Sequence, residues 1–167
     1  VTLVYIPATL AMLQHLVADG SLMPVNGTAF ALTPTLRESY AEGDDDELAE
    51  VALREAALAS LRLLADSEAE GGLPPRRAVL AAEVGDVTFR PDLDDAVVRL
   101  GAPVALDEVV AAYVDNAAAE PDVTKAIEVI DAADLGDEDA ELVVGDAQDH
   151  DLAWYANQEL PFLLELL

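Results

Sequence analysis

A mixed α/β domain, with a sheet of about four strands covered by amphipathic helices, is the fold class this sequence predicts. Three observations predict it. Short β-branched runs are bounded by turn residues, and longer stretches carry apolar residues at helical spacing. Hydrophobic residues also make up 53% of the 167 positions, enough to cover a sheet with helices. The length suits one domain over residues 1–167.

Residues 2–6 form a short apolar run that predicts a buried strand, stopped by Pro7. From Ala8 to Ala18, Leu10, Leu13, Leu16 and Val17 recur as on one helix face, and Asp19-Gly20 supplies its end. Asn26-Gly27 is a turn signal, followed by the apolar run Phe30-Ala31-Leu32. Thr33-Pro34 predicts a helix start, since the hydroxyl can accept a backbone N–H and proline at the first position forfeits no bond. That helix runs through Tyr40 and ends near Gly43. The longest helix is expected near 45–67, with Asp44 and Glu47 arranged as in a capping box and acidic residues in the first turn. Its buried stripe is Leu48, Val51, Leu58, Leu61 and Leu64 or Ala65, with Glu50–Arg54 and Arg62–Asp66 as i,i+4 pairs.

Residues 67–75, with Gly71-Gly72 and Pro74-Pro75, predict a connection inside the domain. Ala78–Val84 predicts a central strand and Ala96–Leu100 a second. At 109–114 strand and helix compete. Val109-Val110 and Tyr113-Val114 favour strand, Ala111-Ala112 and Asp107-Glu108 favour helix, and strand is the preferred reading. Pro121 starts a helix to about Asp134, with Val123, Ile127 and Ile130 inward. Glu141–Val144 predicts a short strand or extended segment. Asp149 is read as the cap of a C-terminal helix near 149–166, with Leu152, Tyr155, Phe162, Leu163 and Leu166 as apolar contacts and Pro161 as a kink.

Charge bounds function more tightly than fold. Eight basic residues face thirty-four acidic ones, a formal charge of −26. Such a field repels nucleic acid and anionic lipid, so no direct nucleic-acid binding is expected. Apolar stretches are broken by charges short of a membrane span, and no signal-peptide pattern opens the sequence, so a cytoplasmic location is expected. Without cysteine there is no thiolate metal site and no cysteine nucleophile. Ser21, Ser39, Ser60 and Ser67 lack a nucleophile-elbow context, and neither a P-loop nor a Gly-rich dinucleotide motif occurs. The acidic groups Asp44-Asp45-Asp46, Asp92 with Asp94-Asp95, and Asp134 to Glu141 do not follow the EF-hand order. No cofactor, metal site or catalytic residue is therefore predicted.

Two constellations are candidates for ligand binding. On the expected C-terminal helix, His150, Trp154 and Gln158 share one face, with Asp151, Tyr155 and Glu159 in the adjacent row. Aromatic walls with polar tips suit a small polar ligand, although the same pattern fits a helix whose Trp and Tyr simply pack. The other pair is Arg37 and Tyr40, i,i+3 neighbours on the short helix. There the arginine either meets a carboxylate of the chain or anchors a carboxylate or phosphate ligand.

Three segments carry a resemblance: Tyr5-Ile6-Pro7-Ala8-Thr9-Leu10; Thr28 to Pro34 running through Leu36-Arg37-Glu38 into the long helix; and His150 to Glu159. The chain resembles a family of small acidic conserved proteins of actinobacteria without an established function. That resemblance implies one domain, a bacterial cytoplasmic setting and a strand at 109–114, and it carries no activity or catalytic residues. The leading expectation is a non-enzymatic interaction or adaptor protein whose partner presents a basic surface. The alternatives are a small-molecule-binding protein or enzyme using the His150–Glu159 face with Arg37 and Tyr40, and a DNA-mimic inhibitor.

Overall fold

The computed structural model describes residues 1–66 and 72–167; the expected connection at 67–75 falls partly outside them. Its centre is a seven-stranded sheet, antiparallel throughout, in the order β5-β6-β3-β1-β4-β8-β9. The strands are β1 (Thr2–Ala8), β3 (Thr28–Phe30), β4 (Ala78–Val84), β5 (Val87–Phe89), β6 (Val97–Leu100), β8 (Val109–Val114) and β9 (Ala153–Ala156). A separate small ladder joins β2 (Ser21–Leu22) to β7 (Val104–Ala105). The sheet therefore has seven strands rather than four. β3, β5 and β9 are only three or four residues long, too short to show an alternation of their own.

Helices cover both faces. Alternation along β1 sends Val4, Ile6 and Ala8 one way, against Leu10, Leu13 and Leu16 of α1 (Leu10–Asp19) and Leu160 and Leu163 of α6 (Leu160–Glu165). Tyr5 points the other way with Phe30, Val79, Ala81 and Ala111, under Ala52, Ala56 and Ala57 of α3 (Asp45–Asp66). The small residues of α3 let the helix lie close to the sheet. A third cluster packs Leu61 of α3 against Val123, Ala126 and Ile130 of α4 (Glu120–Asp134) and Val144 and Ala147 of α5 (Glu138–Gln148). No helix among the described residues is long and apolar enough to cross a membrane.

Start and end signals act as expected at Gly20, Thr33 and Asp44, and Thr9 adds a cap that the sequence reading passed over. Thr9 caps α1 and Gly20 closes it at φ +81°, the left-handed conformation glycine tolerates. Thr33 Oγ1 accepts from Leu36 N at 3.0 Å to start α2 (Pro34–Glu38), and Asp44 Oδ1 accepts from Glu47 N at 2.9 Å ahead of α3. The segment 109–114 is a strand.

Four expectations need correction. Pro7 lies inside β1 and does not end it. β1 pairs with β3 only at Tyr5↔Phe30, so at Pro7 that side of the strand needs no N–H. Glu141–Val144 is helical, not extended. Asp137 caps α5 by accepting from Ala140 N at 2.9 Å, and Ala140, Val144 and Ala147 recur along its buried face. The C-terminal helix near 149–166 shrinks to α6, because Ala153–Ala156 pairs with Val114–Ala111 as an edge strand. Finally, Arg54 and Arg62 reach across to α5 and α4, to Gln148 O and Asp134, in place of i,i+4 partners along α3.

Candidate functional site

The most polar buried constellation grows from two strand ends. β4 and β8 run antiparallel with Ala78 opposite Val114, so the residues just beyond that pair, Arg77 and Asp115, meet. Asp115 Oδ2 accepts from Arg77 N at 2.8 Å and Nε at 2.9 Å, and Oδ1 accepts from Nη2 at 2.7 Å. Both side chains are almost completely buried, at 2% and 0% exposure. Arg77 Nη1 donates to Gln148 Oε1 at 2.9 Å and Nη2 to His150 O at 2.8 Å. Gln148 in turn donates to Arg54 O at 3.1 Å, while Arg54 Nη1 donates to Gln148 O at 3.2 Å. One guanidinium thus ties β4, β8, the end of α5 and, through Gln148, α3.

Above this network lies a cleft of about 420 Å³. Leu53, Ala57, Tyr113 and Leu152 form its apolar walls, and Glu50, Arg54 and Asp151 stand at its rim. Burial pushes the Tyr113 hydroxyl above its usual pKa. His150 borders the cleft, its Nε2 2.7 Å from Asp122 Oδ2 on α4, which fixes the ring. The cleft can hold a small molecule with an apolar body and polar ends. Among the described residues its lining includes no serine, threonine or cysteine.

A second recess, about 360 Å³, opens between α2, α3 and the approach to β6. Its floor is Phe30, Leu36 and Val51, and its polar groups are Tyr40, Ser39, Glu55, Asp94 and Asp95. Glu55 is half-buried. Desolvation first, and the Asp94 charge second, raise its pKa against the opposing pull of Arg62 and Arg54. These three carboxylates make the recess acidic without converging as metal ligands.

The sequence-predicted residues separate. Arg37 is ion-paired with Asp45. Tyr40 sits in the acidic recess, a setting opposite in sign to an anion anchor. His150 borders the cleft, whereas Trp154 and Tyr155 alternate across β9: Trp154 beside Tyr113 on the α3 side, Tyr155 against the core under α1 and α6. Gln158 is exposed, and Glu159 Oε1 accepts from Ala156 N at 3.0 Å. The helical face joining His150, Trp154 and Gln158 does not form, since β9 has a period of two. Arg77, Asp115 and Gln148 escaped the sequence reading. For Arg77 and Asp115 the signal lay at the strand ends, an arginine just before one strand and an aspartate just after another; Gln148, the last residue of α5, gave none. Among the described residues no three His, Asp or Glu side chains converge to hold a metal ion.

Fold and clefts together define a three-layer antiparallel α/β protein with a polar core network and a strongly acidic exterior. The chain belongs to a family of unknown function, DUF6912, whose model matches residues 2–164. Comparison with curated proteins and with solved structures gave no match to either.

Proposed function

We propose that this is a non-enzymatic, cytoplasmic interaction or adaptor protein of an actinobacterium that recognises a partner with a basic surface. The observation that carries the reading is the disposition of its arginines. Arg37, Arg54, Arg62, Arg76, Arg77 and Arg90 each lie within ion-pair distance of an Asp or Glu of the chain itself, and Arg99 donates to Asn26 O at 2.8 Å. Cations already engaged inside the molecule leave the surplus carboxylates outward, with the Glu55–Asp94–Asp95 recess ready for a lysine or arginine side chain. Such complementarity steers encounter and selects partners by charge.

The test is retention on the immobilised protein, with a folded control of matched charge, followed by elution in rising salt. A discrete set of basic proteins, absent from the control and released as the Debye length falls toward about 3 Å near 1 M salt, supports the reading. An eluate identical to the control's overturns it.

The Arg77 cleft favours a second reading, a small-molecule-binding protein. A metabolite that raises Tm in a saturable way, and does so less in Tyr113→Ala, supports it.

A further inference from the structure

The two edges of the large sheet are built differently. β5 is three residues long and runs straight into Arg90-Pro91, a charge and a proline that discourage pairing. β9, Ala153-Trp154-Tyr155-Ala156, holds no charge, proline or glycine. Ala156 donates its N–H to Glu159 Oε1, away from β8. By the alternation of an antiparallel ladder, Trp154, two residues earlier, turns its own N–H and C=O outward as well. Trp154 is 58% exposed beside Tyr113, past the strands that α3 covers. Carboxylates bracket the strand: Asp149 and Asp151 before it, Glu159 after it.

We propose that β9 accepts an extended segment of a basic partner protein as an added strand, with an apolar side chain of that segment laid on Trp154. Main-chain bonds to the outward N–H and C=O of Trp154 supply affinity, the Ala156 N–H being held by Glu159. Alternate side chains supply specificity, one set on the indole and the lysines or arginines toward the flanking carboxylates. A second copy of this chain fits the edge poorly, because each copy carries a charge of −26 and would bring the same carboxylates together. The proposal rests on the basic-partner reading and assigns it a place.

Trp154 is the sole tryptophan, so its emission reports this edge and no other. The probe is a labelled seven-residue peptide of alternating lysine and valine, followed by anisotropy and by Trp154 fluorescence. Three comparison peptides accompany it: a glutamate-for-lysine twin, and two versions N-methylated at alternate residues, one per register. We expect saturable binding with a blue shift of the emission, and at least tenfold weaker binding at 500 mM than at 50 mM salt. Trp154→Ala should bind the labelled peptide at least tenfold more weakly, and the glutamate twin and one N-methylated version should not bind. Binding with unchanged Trp154 emission, or equally by both N-methylated peptides, would place basic segments elsewhere on the surface; the edge assignment then fails while the acidic-surface reading stands. Absence of binding by any peptide also overturns the edge assignment, and the retention experiment alone then decides the wider reading. A dimer in 1 M salt without peptide, lost in Trp154→Ala, assigns the edge to a second copy and overturns it too.

Discussion

Arg77 shows what one residue can do when its charge is taken out of water. Desolvation of an ion pair is repaid only when the remaining donors and acceptors are filled, and here Asp115, Gln148 and the His150 carbonyl fill them. Arg77→Ala leaves the Asp115 carboxylate buried without a cation, and urea unfolding should show a loss of about 3–5 kcal/mol. Arg54→Ala, at a half-exposed guanidinium, should cost roughly 1 kcal/mol or less. Glu55 makes the opposite case. Its folded pKa is raised, so the native state holds this proton more tightly than the unfolded chain, and its contribution is lost as pH rises from the ordinary 4.5 through the folded value. Glu55→Gln should therefore raise Tm at neutral pH and lose that advantage below pH 4.5, as a scan at several pH values will show. Asp134, held low by its hydrogen bonds to Arg62, has the reverse sign and loses its contribution as pH falls. Of the two roles the sequence left open for Arg37, the ion pair within the chain is the one that forms, with Asp45. The sequence signalled Arg77 only as an arginine just before a strand, because its partner lies 38 residues on and meets it only once β4 and β8 are neighbours.

At the scale of elements, local pattern succeeded where a segment is long enough to show its period. α3 and α4 lie close to their expected bounds, although α3 buries Leu48, Ala52, Ala56, Ala57 and Leu61 and leaves Val51, Leu58, Leu64 and Ala65 half-buried. The segment 109–114 took the strand form its β-branched and aromatic residues favour. It failed at 150–159, where a helical wheel gathered His150, Trp154 and Gln158, yet pairing with β8 won. Ala153–Ala156 lacks the β-branched run that marked the equally short β6, and a sheet edge is a tertiary fact. Ser60 is a smaller instance of the same lesson. Considered only as a nucleophile in sequence, it is fully buried, with Oγ donating to Ala8 O at 2.7 Å and accepting from Ala78 N at 3.0 Å. One hydroxyl thereby fastens α3 to the ends of β1 and β4. Ala8 and Ala78 also face each other in the β1–β4 ladder, so Ser60→Ala removes the two hydroxyl bonds without orphaning the ladder and should cost about 1–3 kcal/mol in all, with little change in the denaturant slope. A loss under 0.5 kcal/mol would mean that water replaces the hydroxyl.

For the whole molecule, the class was legible because it follows from how many apolar faces need covering, whereas strand number and order were not. Charge is the other global property, and it acts against the fold it decorates. A formal −26 compressed into a compact body repels itself more than the same charge along an expanded chain, so part of the hydrophobic stabilisation offsets that repulsion. Salt shortens the reach of exposed charges, to about 8 Å at 0.15 M, while buried pairs are screened far less. Tm should therefore climb steeply over the first 0.15 M of sodium chloride and flatten afterwards, by about 2–4 °C for each kcal/mol of repulsion relieved. Sucrose of equal osmolality separates this from solvent exclusion, since it raises stability without screening. The same curve in Arg77→Ala should lie lower yet rise as much, because what salt relieves is the carboxylate excess outside and not the network within. A Tm that is flat or falling with salt would mean that the surface carboxylates are already neutralised by contacts of their own, and the case for a basic partner would lose its driving force.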